Sequence, residues 1–123
     1  MPRTLTTHQI NSFNTEHVTV TTDDDAGPGG ASHHYTIAID SGEIGWSLGI
    51  HFQKGPVKEA GVNGVSDEAL FAILIDRLQG FQKGQYSCRE NAVALTHLET
   101  ALLWLQHRTR ARQARGVEGT SAV

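Results

Sequence analysis

The sequence predicts an α+β fold. A small antiparallel β-sheet is expected in the N-terminal half and a two-helix hairpin in the C-terminal half, with the chain assembled as an oligomer. Three observations carry this. Residues 44–53 alternate strictly, with Ile44, Trp46, Leu48, Ile50 and Phe52 on one side and Gly45, Ser47, Gly49, His51 and Gln53 on the other. That is the period of a half-buried antiparallel strand. From Ser66 onward the apolar residues switch to helical spacing. Finally, hydrophobic residues make up only 38% of the 123, which is little for a chain of this size to cover a sheet and two helices alone.

Residues 17–21, HVTVT, form the first expected strand, with Val18 and Val20 on one face. The following DDDAGPGGAS is a loop by composition. Residues 34–40, HYTIAID, place Tyr35, Ile37 and Ile39 on one face, and DSGE (40–43) suits a hairpin turn into the strand that starts at Ile44. Three strands are therefore expected. The domain reading is a β-region over 1–54, a shaped connecting loop over 55–65 (GPVKEAGVNGV), a helical hairpin over 66–116 and a tail over 117–123, in one folding unit.

Ser66 is a good N-cap, and Asp67 and Glu68 suit the positive end of a helix. Leu70, Phe71, Leu74, Ile75, Leu78 and Phe81 form its stripe, and GFQKGQY (80–86) is expected to break it. Ser87 followed three residues later by Glu90 has capping-box form. The second helix then runs to about Arg115, on a seam of Leu95, Leu98, Leu102 and Leu105, with Gly116 as its stop. At 1.5 Å per residue it is about 42 Å long, more than strands of six to eight residues can cover. Part of it is expected to pack on another subunit.

Net charge is −3, so the whole chain has no polyanion-binding signal. The distribution matters more. Arg108, Arg110, Arg112 and Arg115 stand without an acid among residues 100–115, whereas acids dominate residues 1–54. One cysteine, Cys88, excludes an internal disulfide framework. No signal peptide or apolar run of membrane-spanning length is visible, so a reducing cytoplasm is the expected compartment. Seven histidines fall into no metal-ligand spacing, so neither a metal nor a cofactor is expected.

The chemistry-bearing residues suggest binding without catalysis. Arg108 and Arg112 share a helix face and suit either a solvated, dipole-matched helix end or a fork for phosphate. Phe81 suits either the apolar stripe or a stacking platform for a nucleobase. Arg89 opposes the dipole of the helix it starts, which makes sense beside a bound anion. Asn91, one turn in, suits a base edge or a ribose hydroxyl. Lys58, Glu59 and Asn63 are polar groups on a glycine-bent loop that suits a ligand and an ordinary turn equally.

Residues 52–82 and 88–120, FQKGPVKEAGVNGVSDEALFAILIDRLQGFQ and CRENAVALTHLETALLWLQHRTRARQARGVEGT, resemble the phage anti-Thoeris sponge family. The helical portion is also similar to the phage anti-CBASS sponges. The β-rich first half points to the anti-Thoeris branch. The resemblance implies a non-enzymatic protein that sequesters the cyclic ADP-ribose isomers made by Thoeris enzymes in the host bacterial cytoplasm. It also implies homo-oligomers, hexamers ahead of dimers, with pockets between protomers, and for some members a second site for the cyclic di- or trinucleotides of CBASS. By position, Phe81, Asn91, Arg108 and Arg112 look like the cyclic ADP-ribose pocket, to which Gln82 and Arg89 are added on physical grounds. Lys58, Glu59 and Asn63 look like the second site. The competing readings are an enzyme that degrades cyclic nucleotide signals and a small helical hairpin that binds nucleic acid. Membranes and DNA or RNA polymers are not expected partners.

Overall fold

A computed structural model of the chain describes residues 2–10, 12–43 and 45–123. The chain divides between Val65 and Ser66 into two compact units.

The first unit is an antiparallel meander of four strands in the order β1 (Arg3–Leu5), β2 (Val18–Thr22), β3 (His34–Asp40) and β4 (Gly45–His51). Beyond the three expected strands, the short β1 pairs with β2 through Arg3 opposite Thr22 and Leu5 opposite Val20. Ile44, expected to start the last strand, lies outside the described residues. One four-residue helix, α1 (Phe13–Glu16), precedes β2. The register builds one apolar face across the sheet: Val20 opposes Ile37, which opposes Leu48, and Val18 opposes Ile39, which opposes Trp46. Directly opposed residues point to the same side, so the alternation in each strand adds up across all of them. On the reverse face Thr19, Ala38 and Ser47 align.

That apolar face is left partly open. Trp46 is 52% and Leu48 46% exposed, and no hydrophobic residue among those described is fully buried. The buried positions are polar: Thr22, Ser32 and His33. They surround the loop after β2, which Asp24 organises. Its carboxylate accepts the backbone N–H of His33 at 3.1 Å and of His34 at 3.2 Å, and Ser32 donates to its carbonyl. Desolvation raises the Asp24 pKa, but the two backbone N–H groups and the adjacent imidazoles lower it further, so the net shift is downward.

The second unit is an αα-hairpin of α3 (Asp67–Gln82) and α4 (Arg89–Ala114). Ser66 caps α3 as expected, its Oγ accepting from Ala69 N–H at 3.2 Å. α3 ends at Gln82, inside the expected GFQKGQY break, so Gly80 and Phe81 are still helical. At the start of α4 the N-cap is Cys88, with no side-chain cap, so the Ser87–Glu90 capping box does not form. Gln82 takes over: its Oε1 accepts Cys88 N–H and its Nε2 donates to Cys88 C=O, both at 3.1 Å.

The inner seam holds Leu95, Leu98, Leu102 and Leu105, all partly buried. Leu74, expected in the stripe of α3, is instead exposed, as are Ile73 and, on α4, Leu103 and Trp104. The helix ends in a Schellman turn, with Val117 N–H on Arg112 C=O and Gly116 N–H on Gln113 C=O, both at 3.0 Å. Gly116 has φ 73°, the left-handed conformation this turn requires.

Candidate functional site

The connecting segment 55–65 is a shaped loop. It carries one short helix, α2 (Val57–Ala60), and two side-chain amides clasp it shut. Asn63 Oδ1 accepts Lys54 N–H at 2.7 Å while its Nδ2 donates to Lys54 C=O at 2.8 Å, as a neighbouring strand would. Gln53 Nε2 donates to the carbonyls of Gly55 and Gly61, and its Oε1 accepts Asn63 N–H. The returning chain then pairs with the end of β4, with Val65 N–H on His51 C=O and Gln53 N–H on Val65 C=O. Gly64 permits this approach: a Cβ there would collide with the Phe52 carbonyl group and sit 2.6 Å from His51 O. Asn63, read from sequence as a ligand contact, is thus occupied by backbone at both ends of its amide. Lys58 and Glu59 stay exposed on α2.

The other candidate residues lie on the hairpin, in two separate places. Phe81 and Gln82 sit in the last turn of α3, with Arg89 and Asn91 in the first turn of α4. The Gln82–Cys88 bonds hold these two turns side by side. Arg108 and Arg112 are near the far end of α4. Asn91 and Arg108 are separated by seventeen residues of one unbroken helix, about 26 Å at 1.5 Å per residue. One chain therefore cannot close Asn91 and Arg108 around the same small molecule.

The state of each side chain differs. Arg89 and Arg108 are exposed and Asn91 is half-buried. None of the three makes a side-chain hydrogen bond or ion pair among the described residues. Gln82 is engaged on Cys88. Arg112 is engaged by the chain's own tail. Its Nη2 donates to the carbonyls of Val117 and Thr120, each at 3.0 Å, its Nη1 donates to Ala122 C=O at 2.9 Å, and its Nε lies 3.3 Å from Glu118 Oε2. The Arg112 side chain is only 13% exposed. Phe81 is half-buried, and the Arg77 guanidinium lies over its ring, 5.0 Å from the centroid. Sequence reasoning missed Arg77; the signal was its spacing of four residues from Phe81, which puts both on one helix face. Among the described residues no cluster of His, Cys, Asp and Glu is placed to hold a metal ion, and no helix is long and apolar enough to cross a membrane.

A family model described as the Acb2/Tad1 hairpin domain matches residues 47–110, more than half of the chain. The chain belongs to the Acb2/Tad1 hairpin-domain family. The matched span contains the clasped loop, α3 and all of α4 through Arg110, so it includes Phe81, Asn91 and Arg108. Arg112 and the tail it binds fall beyond it. A curated relative, "Thoeris anti-defense 1" of Bacillus phage SBSphiJ7, is 50% identical over 94 residues, which cover 76% of this chain and 64% of that protein. The chain thus spans somewhat under two thirds of the length of the relative it matches.

Proposed function

We propose that this protein binds cyclic ADP-ribose isomers of the Thoeris defence and holds them uncleaved, in pockets that two copies of the chain share. Phe81, Asn91 and Arg89 would come from the hairpin turn of one copy, and Arg108 from the far end of α4 in the other. The distance along α4 carries this reading. The two halves of the candidate site are about 26 Å apart on a rigid helix, yet Arg89, Asn91 and Arg108 all present unused polar groups. A second hairpin packed against the first brings one copy's turn to the other copy's helix end. The similarity to a Thoeris anti-defence protein supports the biological side. The open apolar face of the sheet and the exposed Leu103 and Trp104 support assembly, for which a closed hexamer is the favoured form and a dimer the alternative.

Sequestration fits the residue types. Phenylalanine supplies a stacking surface, asparagine a donor and an acceptor, and arginine a permanent cation that grips phosphate in bidentate fashion. None is a general base at neutral pH, so the set binds a ligand without activating water. The protein would act where the signal is made, in the cytoplasm of the infected host. Saturating the protein with a cyclic ADP-ribose isomer, removing free ligand and heating tests this. Intact ligand released at no more than one per pocket is expected; a hydrolysed product identifies an enzyme instead.

A second site for cyclic di- or trinucleotides is proposed at Lys58 and Glu59. The favouring observation is that the Gln53 and Asn63 clasp presents α2 on a fixed backbone. Lys58→Ala is expected to weaken cyclic oligonucleotide binding and flatten its salt dependence while sparing cyclic ADP-ribose. Loss of cyclic ADP-ribose binding in that variant would place α2 in the first pocket.

A further inference from the structure

Arg77 stands out among the cations of the hairpin for what it touches. It is exposed, and among the described residues its side chain makes no hydrogen bond and no ion pair. Its one recorded partner is the ring of Phe81. It lies on an open face of α3 with Ala72, Ile73, Asp76 and Gly80, a shallow groove at most. The groove is unobstructed beside Phe81, since a Cβ on Gly80 would meet nothing within 4 Å.

Two physical points give this placement a consequence. A guanidinium over a ring uses its flat face, and the N–H groups around its edge stay available. The same side chain can therefore hold an aromatic platform and grip an anion beside it. A third cation beside the ring is compatible with the charge of the ligand. The pyrophosphate of a cyclic ADP-ribose isomer carries two negative charges. Of the arginines assigned to the pocket, Arg112 is largely taken up by the tail carbonyls and Glu118, which leaves Arg89 and Arg108.

We propose that Arg77 is a further ligand contact of the cyclic nucleotide pocket: its guanidinium holds the Phe81 ring with its face and binds the ligand's pyrophosphate with its edge. This rests on the reading of Phe81 as the stacking platform for a cyclic ADP-ribose isomer. The pocket then draws its cations from both copies, Arg77 and Arg89 at the hairpin turn and Arg108 across the interface. Asp76, in the same groove, disfavours anions placed farther along α3 and so confines the phosphate to the Phe81 end.

Calorimetry at two salt concentrations tests it, with the isomer that the wild-type protein binds and with adenosine, which lacks phosphate. Arg77→Ala is expected to weaken the cyclic ADP-ribose isomer about tenfold or more, about 1.4 kcal/mol, and to flatten its salt dependence. Adenosine binding should change by less than about threefold, on the scale of an exposed ring contact. Arg77→Lys keeps the charge and should retain the salt slope while losing the bidentate grip. Arg77→Gln serves for the same comparison if the alanine variant does not fold, and Arg110→Ala controls for net charge. If Arg77→Ala binds the isomer like wild type while Phe81→Ala and Arg108→Ala weaken it, this inference falls and the pocket stands. If Arg77→Ala loses adenosine as much as the nucleotide, the residue only positions the ring. If the wild-type protein binds no isomer, both fall together.

Discussion

At the scale of single residues, side-chain amides do the work that backbone does elsewhere. Asn63 completes a ladder with Lys54, and Gln82 caps α4 through Cys88. Each replaces a peptide group, so each loses two hydrogen bonds on truncation, worth about 0.5–1.5 kcal/mol apiece. Asn63→Ala is expected to lower stability by about 1–3 kcal/mol in urea denaturation, whereas Lys58→Ala should change it by less than about 0.5 kcal/mol. Equal effects would mean that the clasp does not hold the loop. Gly64→Ala should cost at least as much as Asn63→Ala, because its Cβ meets backbone that cannot step aside. Asp24 supplies the pH dependence. Its folded pKa is depressed, so its contribution is present above the ordinary aspartate value of about 4 and is lost as pH falls through the lower folded value. Asp24→Asn should therefore lower the melting temperature at neutral pH, and its melting temperature should fall less than that of wild type on acidification below about pH 4. None of these roles was legible in the sequence. Asparagine and glutamine advertise polarity, but which backbone group they meet depends on a fold that brings residues six to nine positions apart into register.

At the scale of elements, the periodic segments and most helix ends were legible, and the start of the second hairpin helix was not. The strands after residue 17, the Ser66 cap and the Gly116 stop follow from alternation, capping chemistry and φ preference. The sheet's first strand was missed because Arg-Thr-Leu is too short to show a period. The break between the helices was legible in GFQKGQY, and α3 runs three residues into that segment because an interior glycine costs only about 1 kcal/mol. This places Phe81 on a helix, where Arg77 reaches it. Arg112 shows a different limit: its place on the Arg108 face was legible, and its capture by the tail was not. Arg112→Ala should free residues 117–122, read as faster amide hydrogen exchange there, with α4 otherwise unchanged. Unchanged exchange in the tail would mean that the guanidinium does not anchor it.

At the scale of the whole molecule, the open apolar sheet face and the two-ended distribution of polar groups on the hairpin both support the proposed partner copy. The oligomer was expected from composition, from the length of the second helix and from the family resemblance, and the separation of Asn91 from Arg108 would give it a functional reason. Subunit complementation tests that claim most directly. Phe81→Ala and Arg108→Ala, each expected to bind cyclic ADP-ribose poorly, are co-expressed in equal amounts and the mixed oligomers purified. In a shared pocket the intact Phe81 of one chain meets the intact Arg108 of the other. About a quarter of the pockets should then regain wild-type affinity, as random pairing in a closed oligomer requires. A mixture that binds no better than either variant alone would contradict the account and place each pocket within a single chain.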